Sequence, residues 1–206
     1  MFQTAYVGEL FCDRDTIFKR IRNATVAKKM ALAFSVACLT GLLAQVKLSI
    51  PWTPVPITGQ TFVVLLSGVL LGGWWGGISQ AIYLAIGASG IPWFSGWTGG
   101  IGVLIGPTGG YLIGFVLASL FLGYCSDKYF SAQNYFPMIF LMLLANFLII
   151  NVSGLVVLAI YLHILKGAAP SIFDLLKMGT VPFIIGDIIK ILAAASVAKA
   201  LSLKQS

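Results

Sequence analysis

Few groups in this chain can do chemistry, and two of them sit where charge is expensive. Asp187 and Lys190 lie in VPFIIGDIIKILAAA, inside an otherwise apolar run. A charge at the centre of a membrane span costs at least about 2.5–3.5 kcal/mol. At i and i+3 on a helix the two side chains share a face, where they neutralise each other. Three roles are open: ligand binding, a structural ion pair, and a proton or ion relay. Ligand binding is favoured, because apolar packing would hold a helix in place without desolvating two charges. No other acid lies within an apolar run.

The remaining reactive groups do not assemble into a catalytic set. His163 is the single histidine, so neither a His-based metal site nor an H-E-x-x-H protease is available. Ser95, Ser153 and Ser196 have no histidine nearby in sequence, and G-x-S-x-G is absent. Cys12, Cys38 and Cys125 make an odd number without C-x-x-C, which offers no disulfide framework or zinc site. IGPTGGYLIG can bring backbone N–H groups and a helix N-terminus toward a polar ligand, but it is not a Walker motif. Trp93 and Trp97, in a Gly-rich loop, are candidates to line an apolar ligand site. The expectation is a non-enzyme with no metal and no cofactor of its own.

Composition says what must position these groups. Of 206 residues, 59% are hydrophobic and only 9% charged, against about 25% charged in an ordinary soluble domain. That excludes a soluble globular enzyme, a disordered chain and a disulfide-rich module, and leaves an all-α, polytopic integral membrane protein. Its expected helices are Met30–Ile50, Gln60–Leu71, Ile78–Ser89, Thr108–Cys125, Met138–Ile164 and Val181–Leu201. The prolines of PWTPVPIT end the first, and Gly72–Gly77 makes a turn. Residues 90–107 are a Gly/Pro/Trp-rich connection, and 166–179 a further one, part of it a surface helix. Gly68/Gly72/Gly76 and Gly106/Gly110/Gly114 are read as close-packing stripes, as are Ala27/Ala31 and Ala33/Ala37 on the first helix.

The net charge of +7 is placed to orient the chain rather than to bind nucleic acid. Arg14, Lys19, Arg20, Arg22, Lys28 and Lys29 precede the first apolar run. With both termini cytoplasmic, nine bases lie inside against Lys47, Lys166 and Lys177 outside. Residues 1–29 read as a basic cytoplasmic extension with no signal peptide. It is either a surface helix using Phe11, Ile17, Phe18 and Ile21, or a partly ordered tail. Residues 30–206 form the membrane domain. Loops 51–58 and 90–107 and the start of the last helix then share the outer side, where they can converge on one pocket.

The runs TPVPITGQTFVVLLSGVLLG, SQAIYLAIGASGIPWFSGWTGG, GPTGGYLIGFVLAS and GDIIK, in that order, resemble the BioY family. These are the biotin-capturing S components of energy-coupling factor (ECF) transporters. The resemblance runs from about residue 30 to the C-terminus. It implies a six-transmembrane-helix S-component bundle that takes biotin from outside. It also implies partners: a membrane scaffold subunit and two ATPases, which alone would use ATP. Asp187 and Lys190 would be substrate-binding. Trp93, Phe94 and Tyr111 would supply an apolar wall, and Gln60 and Thr98 further polar contacts. Ala33 and Ala37 would form the face that docks the scaffold. The alternatives are an S component for another vitamin, a biotin transporter working without ATPases, and an intramembrane enzyme using Asp187.

Overall fold

The computed structural model describes residues 17–129, 134–167 and 170–203. The readings made on Phe11, Cys12, Arg14 and Lys204 fall outside those residues. A short helix α1 (Ile17–Arg22) leads into α2 (Val26–Ala44). α2 stops six residues before the expected Ile50, because β1 (Lys47–Leu48) pairs antiparallel with β2 (Ile57–Thr58). Pro51, Pro54 and Pro56 occupy the loop between the strands, where no ladder N–H is needed.

α3 (Gln60–Leu71) has the expected bounds. Its 12 residues rise only about 18 Å, short of a hydrocarbon layer of about 30 Å. Every residue but Phe62 and Leu70 is buried. A helix apolar on all sides must be surrounded, and α3 is the axis of the fold. It is contacted by α2, by α4 (Gly73–Ala88), by α6 (Gly109–Lys128) and by α10 (Ile184–Leu203).

The expected six-residue turn at Gly72–Gly77 is instead a single residue. Gly72 has φ +67°, a conformation glycine adopts without penalty, and Trp74–Gly77 are already helical. The tightness follows from Gly68 and Gly76. They face each other across the α3–α4 hairpin, where a Cβ on Gly76 would lie 2.8 Å from the Gly68 Cα. So Gly68/Gly72/Gly76 is a hairpin contact rather than a stripe on one helix. Gly110 and Gly114 of α6 play the expected packing role, against Val157, Ser153 and Ile150; Gly106 precedes that helix.

The connection after α4 contains the five-residue helix α5 (Ile101–Ile105). The fifth expected helix is one long rod. α7 (Tyr135–Leu144) passes through a π-helical segment, Ala145–Ile150, into α8 (Asn151–Lys166). α9 (Ile172–Gly179) is the surface helix expected in the next connection, capped by the Ser171 hydroxyl. A 3₁₀ turn, Val181–Phe183, then enters α10.

Among the described residues four helical runs are long and apolar enough to cross a membrane: Val26–Ala44, Gly109–Lys128, Tyr135–Leu165 and Ile172–Leu201. Phe136, Phe140, Leu148, Val152, Val156 and Ile160 are exposed along the α7–α8 rod. Such a surface suits lipid and not water, and the chain is a multi-pass membrane protein.

Two features concern the first helices. Ala33 and Ala37 are fully buried within the bundle. The expected partner-docking role is therefore corrected: these methyls let α2 approach its own neighbours, chiefly α4. Ala27, Ala31 and Ser35, on another face of α2, are exposed. At the end of the bundle away from Gln60, Arg22 ties α1 down. Its Nε lies 2.6 Å from Asp127 Oδ1, and its NH2 donates to Ser126 Oγ at 2.9 Å. Burial lowers the Arg22 pKa, and the Asp127 carboxylate acts against that shift.

Candidate ligand-binding site

A cavity of about 250 Å³ lies where the N-terminus of α3, the first turn of α10 and the two long loops meet. That is just below the range of about 300–1,000 Å³ usual for small-molecule sites. The convergence expected of loops 51–58 and 90–107 with the last helix is what the tertiary structure builds.

The polar end of the cavity is made by α10. Asp187 is 5% exposed, and its Oδ1 lies 2.6 Å from Lys190 Nζ. Lys190 also donates to the Thr58 carbonyl at 3.2 Å, which ties α10 to β2. The other carboxylate oxygen, Oδ2, accepts from Asn146 Nδ2 at 2.8 Å. A carboxylate can only accept, so the Asn146 amide nitrogen must face it and the amide oxygen is left over. That oxygen is buried and has no partner among the described residues, although Asn146 lines the cavity. Leaving a buried acceptor unpaired costs about 1–3 kcal/mol. Asn146 reaches this position from the π-helical segment, a distortion often found at functional sites. The result is one fixed carboxylate, one ammonium and one open amide oxygen.

The opposite walls are apolar. Phe94, Tyr111, Leu112, Phe115 and Phe183 line the cavity, with Val55 from the proline loop. Tyr111 is fixed at both ends. Its ring fills the space a Gly154 side chain would take, and its hydroxyl donates to the Gly179 carbonyl at 2.8 Å. Gln60 is buried at the start of α3, donating to the Tyr83 hydroxyl at 2.7 Å and accepting from Thr58 Oγ1 at 2.9 Å. Thr98 lines the rim, and its hydroxyl donates to the Ser95 carbonyl at 3.1 Å.

Six of the seven expected substrate residues thus line one cavity: Asp187, Lys190, Gln60, Phe94, Thr98 and Tyr111. Trp93 does not. Its indole lies against Gly41 and donates to the Tyr83 carbonyl at 2.9 Å, so it backs the wall from behind. Trp97 is 69% exposed and lines nothing of the cavity. It holds φ 60° at the tip of the loop, with its N–H on Gln45 Oε1 at 3.0 Å.

Asn146, Ser95, Thr58, Phe183 and Gln45 were missed in the sequence. Gln45, just past the end of α2, grips the loop by donating to the carbonyls of Trp93 and Phe94. A sequence signal existed for Asn146. Two amides, Asn146 and Asn151, interrupt the most apolar run in the chain, and polar side chains inside spans are costly enough to need a role.

A profile of the BioY family matches residues 16–205. The chain belongs to the BioY family. It is 49% identical over 140 residues to a probable biotin transporter BioY of Methanothermobacter thermautotrophicus, covering 68% of this chain and 89% of that one. It is 39% identical over 151 residues to the biotin transporter BioY of Thermotoga maritima, covering 73% and 83%. Its fold is similar to the crystal structure of the S-component for biotin from an ECF-type ABC transporter. The TM-score is 0.76 at 27% identity, over 87% of this chain and 93% of that one. The architecture is that of an S component.

Proposed function

We propose that this chain is the biotin-binding substrate subunit of an ECF-type uptake transporter. One observation carries the reading. At one end of a cavity walled largely by aromatic and aliphatic side chains, a buried carboxylate, an amide oxygen unpaired among the described residues and an ammonium stand together. A ureido ring is their complement, with two N–H donors and one carbonyl. One N–H meets Asp187, the other meets Asn146 Oδ1, and Lys190 donates to the carbonyl. The thiophane ring and alkyl chain lie against Phe94, Tyr111 and Phe183. The names of the similar proteins support the same substrate.

The membrane domain, residues 30–206, crosses six times. The four long runs are joined by the buried α3 and the partly exposed α4, two shorter helices that make the remaining passes as a tight hairpin. The base distribution favours cytoplasmic termini, with the cavity facing outward and the Arg22–Asp127 tie on the inner side. Residues 1–29 form a basic inner extension, to which α1 and Arg22 belong.

Release into the cell requires a scaffold subunit and two ATPases; the chain itself needs no cofactor and performs no catalytic step. Helix α2 offers the docking face through Ala27, Ala31 and Ser35, the small residues it exposes.

Calorimetric titration of the detergent-purified protein with biotin, thiamine and riboflavin tests the substrate. Biotin near one to one, with the other two silent, is the expected result. Asp187→Asn should weaken it about 10- to 150-fold, the worth of a charge-assisted hydrogen bond. No biotin binding by folded wild type would overturn the assignment.

A further inference from the structure

The deep end of the cavity has no net charge to offer an anion. Lys190 is already neutralised by Asp187 at 2.6 Å and bonded to the Thr58 carbonyl. A free carboxylate placed there would meet Asp187 at close range, a repulsive encounter in a low-dielectric site. An anionic group on the ligand therefore belongs away from that pair, and one cation stands beside a loop that lines the cavity.

Lys47 stands opposite Thr58 in the two-stranded ribbon. Residues directly paired across strands project from the same face, and Thr58, whose hydroxyl bonds Gln60, is one of the residues that line the cavity. The Lys47 ammonium lies over the backbone of Gly96, so close that a Cβ on Gly96 would collide with it. Gly96 follows Ser95, a residue that lines the cavity and whose side-chain oxygen is buried without a partner among the described residues. Lys47 itself is exposed, and its ammonium has no ion-pair or hydrogen-bond partner among the described residues. A lysine without a counterion and a hydroxyl without a partner among the described residues thus meet at one stretch of the 90–107 loop, the first reaching it from β1.

We infer that Lys47 and Ser95 form a carboxylate-recognition rim. The ligand's anionic tail is held between the Lys47 ammonium and the Ser95 hydroxyl, while its neutral polar head occupies the Asp187–Asn146–Lys190 end. This rests on the biotin reading and adds a selection to it: the site distinguishes a free acid from the same molecule with its carboxyl group blocked.

The test is calorimetric titration of the full chain with biotin and with biotin methyl ester. Wild type should prefer the acid by about 5-fold, the upper range for a solvent-screened ion pair. Lys47→Met should reduce that ratio below about 2-fold by weakening biotin alone, and Lys47→Arg should restore it. Ester binding by Lys47→Met at the wild-type level shows that the variant is folded. Raising the salt concentration should weaken biotin, but not the ester, in wild type only. An unchanged acid-to-ester ratio in Lys47→Met, with biotin still bound, overturns the rim assignment and leaves the biotin reading standing. Failure of folded wild type to bind either compound overturns both.

Discussion

Two buried polar clusters can be set side by side. One comprises Thr40, Ser67, Ser79, Gln80 and Ser119, packed among α2, α3, α4 and α6. Gln80 spans it, donating to Ser67 Oγ at 3.4 Å and Ser79 Oγ at 3.2 Å and facing Thr40. The serines then return to backbone carbonyls: Ser67 and Ser119 to Val64, Ser79 to Gly76. None of these five lines the cavity. The other cluster comprises Asp187, Lys190, Asn146 and Thr58, which all line it. It holds the greater charge, yet it leaves the Asn146 oxygen unpaired. Burial of polar atoms is common to both. What separates the two is an unfilled hydrogen-bonding position on a residue that lines the cavity.

The largest test of this contrast removes one charge. Lys190→Met leaves Asp187 buried without its counterion and should cost about 3–5 kcal/mol of stability, read as a lowered Tm in detergent. The double variant Asp187→Leu/Lys190→Met should recover most of that stability while failing to bind biotin in calorimetry. Retained biotin binding in the double variant would show that the pair is structural only.

Next, Gln80→Leu cuts the closed cluster at its centre. It should lower stability by about 1–3 kcal/mol, since Thr40 and Ser67 each lose a partner, and should leave biotin affinity within about 2-fold of wild type. A large affinity loss at unchanged stability would erase the distinction between the clusters.

The smallest effect sharpens it most. Asn146→Ala removes an oxygen that no other group among the described residues uses. It should weaken biotin about 5- to 10-fold, close to one neutral hydrogen bond with its desolvation. Thermal stability should fall only by the bond to Asp187, about 1 kcal/mol. Unchanged affinity would mean that the open position faces no ligand atom.

The sequence alone was enough for the membrane class, the Asp187–Lys190 pair and the two loops that close the cavity. Composition and periodicity are local properties, and an i, i+3 spacing fixes a shared helix face whatever surrounds it. The glycine hairpin at Gly72 was half legible: the residues were read as a turn, but how tight it is depends on Gly68 meeting Gly76 across two helices. Which face of α2 turns inward was not legible at all. Ala33/Ala37 and Ala27/Ala31 have the same spacing, and only packing decided that the first pair is buried and the second exposed. Trp93 and Phe94 are neighbours in one loop, yet Gly41 and the Tyr83 carbonyl hold the first behind the wall while the second enters the cavity. Asn146 and Lys47 show the same limit. One is 41 positions from Asp187 and the other 49 from Gly96. Hydrogen bonds and charges act over a few ångströms, and chain folding alone brings such pairs that close.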